Sequence, residues 1–455
     1  MTTDANAEAW SERREGWQPG RADARDAAAI DYARIVHSAS FRRLQGKTQI
    51  LNLGDSDFYR NRLTHSIEVA QVAGGIARQL NKDFAEHHAA PWIPDLTMIQ
   101  AIGATHDLGH PPFGHGGEVA LHYGMRDRGG FEGNGQTLRI LSRLESFSDS
   151  NGANLSRRTL LGILKYPAPM STVRSGGEAL VPRLIDDTSV VSLIDRKACR
   201  PPKCYLDTEK DVVEWLLEPV PQADRDRFTS WKPVDGDHGK TQHKTFDCSI
   251  MDLADDIAFG VHDLEDALAM GLMNADDIIS MIPEVECDSF LEYLKERAPD
   301  DFGNDIHAGF VAALAGSQKT RKRTISRMVG HLITSVQIET VDQFETPLMR
   351  FRAALPAPQR IFLKALKGAV MNKVIKSASV QHLEFKGQNM VVAVFEALAT
   401  DPKSLLPEST RVRYEAADDK ARVICDHIAG MTDGFLLRTY ERLFSPRMGS
   451  VFDHI

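Results

Sequence analysis

The stretch "ATHDLGHPPFGHGGE", Ala104 to Glu118, follows the apolar run "LTMIQAIGA" and packs three histidines, two acids, four glycines and two prolines together. The segment "DLTMIQAIGATHD" predicts a helix with Asp95 as N-cap, entered from the loop "PWIP". Gly109 and then Pro111-Pro112 stop that helix, which leaves His106 and Asp107 at its end. Adjacent side chains on a helix diverge by about 100°, yet at a terminus both can reach one metal ion. An imidazole nitrogen and a carboxylate oxygen suit borderline and hard divalent cations. The dipeptide alone means little, because His262-Asp263 repeats it. A ligand-capable residue at a helix start, His65 in "NRLTHS", and a later carboxylate, Asp255 in "MDLADDIAF", give it weight. Beyond the pair, Gly109, Gly114, Gly116 and Gly117 permit backbone positions closed to other residues. His110 and His115 add imidazoles that titrate near neutral pH, and Glu118 is a carboxylate able to fix a tautomer.

Outward from this stretch the pattern is helical nearly throughout. In "NRLTHSIEVAQVAGGIARQLN" the apolar positions Leu63, Ile67, Ala70, Ala73, Ala77 and Leu80 recur at spacings of three and four. Phe246, Ile250, Leu253, Ala254, Ile257 and Val261 form a similar stripe around Asp255. Asp255, Phe259 and Asp263 fall on a neighbouring stripe. Two acids and an aromatic beside a core face either point to solvent or meet something charged, such as a metal ion and a sugar-phosphate. "NGQTLRILSRLES" and "RRTLLGILKYP" read as short helices, the second stopped by Pro167. The best strand candidate, "EALVPRLIDDTSVVSLI", is weakened by Pro182. Residues 167–243 read as a loop-rich excursion from a helical core, and residues 1–25 as a mobile arm. From Lys244 the helical pattern resumes and runs to Phe444. The expectation is an all-α protein with one helical unit over 26–455 and the histidine-rich core over about 58–265.

The bulk properties exclude several classes. The composition, 42% hydrophobic and 26% charged, is that of an ordinary soluble globular chain. No apolar run is long enough for a transmembrane helix, and the polar start lacks a signal-peptide core. Five cysteines without a CxxC pair fit reduced thiols in a cytoplasm better than a disulfide framework. A formal net charge of −9 argues against a dedicated nucleic-acid coat. The basic run "KTRKRTISR", Lys319 to Arg327, reads first as a solvated helix start and second as a polyanion contact.

His65, His106-Asp107 and Asp255 together reproduce the H…HD…D pattern of the HD phosphohydrolase superfamily, and the chain resembles its bacterial dGTPase family. "SASFRRLQGKTQI", "NRLTHSIEVAQVA", "HDLGHPPFGHGGE", "FEGNGQ", "LKYP", "ADDIAFGVHDLEDA" and "HIAGMTDGF" look like that family's segments in its order, from about Asp31 to Phe444. The resemblance implies that His65, His106, Asp107 and Asp255 hold one divalent ion, with Mn²⁺, Mg²⁺, Fe²⁺ and Co²⁺ all open. It implies a catalytic pair in His115 and Glu118, with His110 near the phosphates. Arg62 and Lys165 match phosphate-binding residues, and Gln49 and Asp263 match residues that read the deoxyribose 3′-hydroxyl. Phe259 departs from the tyrosine usual in the family, and nothing transfers to 167–243. The implied reaction cleaves a deoxynucleoside triphosphate to a deoxynucleoside and tripolyphosphate. Rival readings are another HD phosphohydrolase activity, such as a phosphodiesterase or single-strand nuclease, and a non-catalytic nucleotide or single-stranded DNA sensor. The resemblance also implies a homo-oligomer, often a hexamer, with a nucleotide or single-stranded DNA effector; the lack of a long apolar run leads us to expect no membrane partner.

Overall fold

The helix around Asp255 runs Phe246–Ala269, and it starts where a threonine can cap it: the Thr245 side chain accepts from the Cys248 amide. Of its expected stripe, Phe246, Ile250, Ala254, Ile257 and Val261 are fully buried, and Leu253 is half-buried. The computed structural model describes residues 8–16, 22–49, 60–185 and 193–446. Helices dominate, as expected. Among the described residues the strands form two antiparallel pairs, Trp231–Lys232 with Lys240–Thr241 and Gln337–Thr340 with Phe351–Ala354. No described helix is long and apolar enough to cross a membrane.

The chain divides into two compact units. The smaller comprises His65–Ala104 and Thr245–Gln381. In it the helices Arg62–Asp83 and Leu96–Thr105 approach closely, because a Cβ on Gly103 would stand 2.9 Å from Ala70 Cα. Ala70, Ala73, Ala77 and Leu80 are buried as expected, but Ile67 is 53% exposed. The buried face is turned toward Val69, Val72 and Ile76, so the small alanines, rather than Ile67, mark the contact side. The basic run lies on the helix Gln318–Thr334, with Lys322 paired to Glu265 and Arg327 to Asp301. Lys319 and Arg323 on the same helix are exposed.

The larger unit comprises Met1–Thr64, Thr105–Lys244 and His382–Ile455. Its core joins Leu121, Val391, Val394, Phe395, Ile424, Ile428 and Leu436 in one cluster. Within the expected mobile arm, residues 1–7 and 17–21 lie outside the described residues, but 8–16 are held. Trp10 is buried, Arg13 pairs with Asp31, and the Arg157 amide donates to the Glu12 carbonyl. The stretch 167–243 is also more ordered than its prolines imply. The helices Lys210–Leu217 and Gln222–Phe228 bury Val212, Leu216 and Phe228. The strand candidate amounts to one bridge between Leu184 and Ile194, residues 186–192 lying outside the described set. All five cysteines are buried free thiols.

Candidate functional site

The helix Leu96–Thr105 ends one residue before His106, and a tight turn carries the chain through Asp107 to His110. Gly109 is required there: a Cβ would lie 2.0 Å from the Gly133 carbonyl oxygen, and its amide donates to Thr137 Oγ1 at 2.9 Å. Asp107 is the electrostatic centre of this turn. Arg62 Nη1 lies 2.6 Å from its Oδ2, His110 Nδ1 3.0 Å from its Oδ1, and His106 Nε2 3.6 Å from Oδ2. Burial alone would raise the Asp107 carboxyl, but His110, His106 and Arg62 hold it well below the usual carboxylate range. Burial lowers the His110 imidazole to about 4 despite the neighbouring carboxylate, so this ring is neutral at pH 7. It offers a hydrogen bond rather than a charge.

The second half of the stretch forms the helix Gly114–Gly124. Phe113 precedes it with φ 60°, a left-handed conformation costly for an aromatic residue. Asp433 holds it there: its carboxylate accepts from the Phe113 amide at 2.9 Å and from both the amide and the hydroxyl of Thr48. Beside it, Lys47 donates to the carbonyls of His110 and Ala429 at 2.6 and 2.9 Å. In the first turn of the helix, His115 Nδ1 lies 3.1 Å from Glu118 Oε2. The two side chains differ sharply in exposure, 67% for His115 and 4% for Glu118. Glu118 Oε1 accepts from the Gly133 amide at 2.9 Å, and Lys203 Nζ lies 3.3 Å away. This buried acid, bonded through both oxygens, can hold the ring's Nδ1–H and turn its Nε2 outward.

Arg62 opens the helix Arg62–Asp83 and His65 follows three residues later, on the same helical face. His65 is buried, and its Nε2 stands 3.3 Å from Asp255 Oδ1. His65 in the smaller unit and His106 and Asp107 in the larger are all buried, and each is a residue type that can ligate a divalent ion. Asp255 and Phe259 are half-buried and Asp263 is 3% exposed, so the row beside the core stripe does not face open water. His262, in the second His-Asp pair, is instead paired with Glu68 at 3.1 Å. Lys165 is half-buried just past the helix Arg157–Ile163. Among the described residues, Gln49 Oε1 is buried and meets no donor.

Three residues that hold these side chains in place are not singled out by the sequence reading. Glu132, Lys203 and Asp433 make contacts 71 to 385 residues distant in the chain: Glu132 to Lys203, Lys203 to Glu118, Asp433 to Phe113 and Thr48. The only available pointers were the segments "FEGNGQ" and "HIAGMTDGF", which contain Glu132 and Asp433. Nothing pointed to Lys203.

Known proteins match the chain over nearly its whole length. The HD domain family matches residues 62–163, and the phosphohydrolase-associated domain matches 353–442. A deoxyguanosinetriphosphate triphosphohydrolase-like protein of Shewanella baltica (strain OS195) is 44% identical over 454 residues, covering 97% of both chains. The protein of the same description from Shewanella halifaxensis (strain HAW-EB4) is 42% identical over 452 residues, covering 98% of both. With similarity of this extent, and with the HD match spanning the turn that carries His106 and Asp107, the chain belongs to the deoxyguanosinetriphosphate triphosphohydrolase-like family of HD-domain proteins.

Proposed function

We propose that the chain hydrolyses deoxynucleoside triphosphates, dGTP among them, to the deoxynucleoside and tripolyphosphate, using one divalent ion held by His65, His106, Asp107 and Asp255. The donor set fits such an ion. Ligand atoms about 2.0–2.2 Å from one metal stand roughly 3 Å from each other. The His65–Asp255 and His106–Asp107 atom pairs are 3.3 and 3.6 Å apart. Two imidazoles with two carboxylates suit Mn²⁺, Mg²⁺, Fe²⁺ or Co²⁺. When bound, such an ion polarises a phosphoryl oxygen and lowers the pKa of a coordinated water.

The chain's own residues divide the remaining work. Arg62, fixed by its bond to Asp107, and Lys165 offset the charge of the triphosphate. Neutral His110 donates or accepts a single hydrogen bond beside them. His115 protonates the departing 5′-oxygen, and Glu118 keeps its Nδ1–H in place and stabilises the cationic ring. Gln49 and Asp263 meet the 3′-hydroxyl, and the Phe259 ring lies against the sugar. Oligomerisation and activation by a nucleotide or single-stranded DNA rest on the family resemblance.

The observation that carries this reading is the pairing of an exposed His115 with a buried, fully engaged Glu118, a device for proton transfer that a binding module has no use for. Incubation with each dNTP and Mn²⁺, followed by separation of products, tests it. A free deoxynucleoside with intact tripolyphosphate is expected. A deoxynucleoside monophosphate with pyrophosphate, or cleavage of single-stranded DNA in preference to dNTPs, would overturn it.

A further inference from the structure

Lys203 comes from the proline-rich stretch 167–243, yet its Nζ stands between two buried acids, 3.3 Å from Glu118 Oε1 and 2.9 Å from Glu132 Oε1. Glu132 is fully buried and caps the helix Gly133–Arg139 through the Gly135 amide, and it also accepts from Asn134. The helix that Glu132 caps supplies the Gly133 amide to Glu118. Two buried carboxylates thus share one cation and one short helix terminus. Like charges so placed cannot both stay ionised without a counter-charge. We propose that Lys203 is a positioning residue for the catalytic pair: it holds Glu118 as an immobile, ionised carboxylate and thereby fixes the tautomer and reach of His115.

The surroundings support the geometry. Burial opposes ionisation of Glu118, but Lys203, His115 and His110 hold it well below the usual range. Burial leaves Glu132 raised in spite of Lys203, with Glu118 adding to the rise. Burial would lower the Lys203 ammonium, and the two acids more than reverse that. The other titratable groups nearby are His122 on the Glu118 helix, Tyr166 beside Lys203 and the Cys204 thiol beside Glu132. Of these, His122 is lowered to about 4 by burial and is neutral at pH 7, so among the described residues Lys203 is the one cation that Glu118 and Glu132 share.

The inference rests on the dyad reading, and its test separates the two. Removing the ammonium lets Glu118 take up a proton at higher pH, so the acid limb of kcat/KM moves upward. In Lys203→Met we expect this limb to rise by about one pH unit and kcat at pH 7 to fall about ten-fold or more, with nucleotide Kd unchanged. Lys203→Arg should restore most of both. Glu132→Gln, which removes the competing acid, should move the limb the other way, and it decides the matter if Lys203→Met does not fold. An NMR titration of His115 in the same variants reads the same shifts without turnover. A weaker Kd with unchanged kcat and pH profile would make Lys203 a phosphate contact and end the proposal. An unchanged profile in Lys203→Met or Glu132→Gln would end it equally. Absence of dNTP hydrolysis by the wild type would instead overturn the function, with the His115 titration still deciding Lys203.

Discussion

His106 and His115 belong to one short stretch and live in opposite surroundings. The His106 side chain is 4% exposed and stands beside Asp107, which is itself enclosed by Arg62 and His110. The His115 side chain is 67% exposed, and only its partner Glu118 is buried. Under the proposed function the difference matches two kinds of work. A ligand group gains from shielding, because charges interact more strongly away from water and the donors stay fixed. A proton-transfer group must meet the substrate, so only the group that orients it is sequestered. The turn at Gly109 and the left-handed Phe113 separate the two environments, and Lys47 and Asp433 hold that separation in place.

The contrast can be broken most severely at its buried end. Asp107→Asn keeps the shape but removes the charge opposite Arg62, so metal content and turnover should both fall to background. The uncompensated Arg62 should also lower stability, by up to about 3–5 kcal/mol for a broken buried pair. Metal analysis and thermal melting check this; normal metal content with full turnover would refute the ligand role. A smaller effect is expected at the sugar. Phe259 keeps the ring of the family's tyrosine without its hydroxyl, so deoxyribose selectivity should persist by steric exclusion of a 2′-hydroxyl. Phe259→Ala should lower the dGTP-to-GTP ratio of kcat/KM by about ten-fold, the scale of a pocket contact. An unchanged ratio would show that the ring is not the gate.

The ease of reading these residues from sequence follows from how local their physics is. The Asp255 helix was legible because a 3.6-residue period fixes which side chains share a face, and Ile250, Ala254, Ile257 and Val261 are indeed buried together. The turn was legible because glycines, prolines and histidines crowd within it. Ile67 was misjudged because periodicity counts apolar residues, whereas Ala70 against Gly103 shows that small size selects the contact face. Residues 8–16 were read as free because polar composition does not show that Arg13 meets Asp31 or that Trp10 has a pocket. Lys203 was invisible for a deeper reason. An ordinary lysine in a proline-rich stretch acquires its role only when the fold brings it across 85 residues to Glu118.

The most direct test of the division between shielded binding and exposed proton transfer is His115→Ala, with nucleotide Kd, metal content, melting temperature and kcat measured on one preparation. Because His115 is largely exposed, stability should change by no more than about 0.5 kcal/mol. Metal content and Kd should match the wild type, and kcat should fall about 10²–10⁴-fold, the worth of a general acid or base. Weakened binding or lost metal, with bound nucleotide still turned over at the wild-type rate, would contradict it.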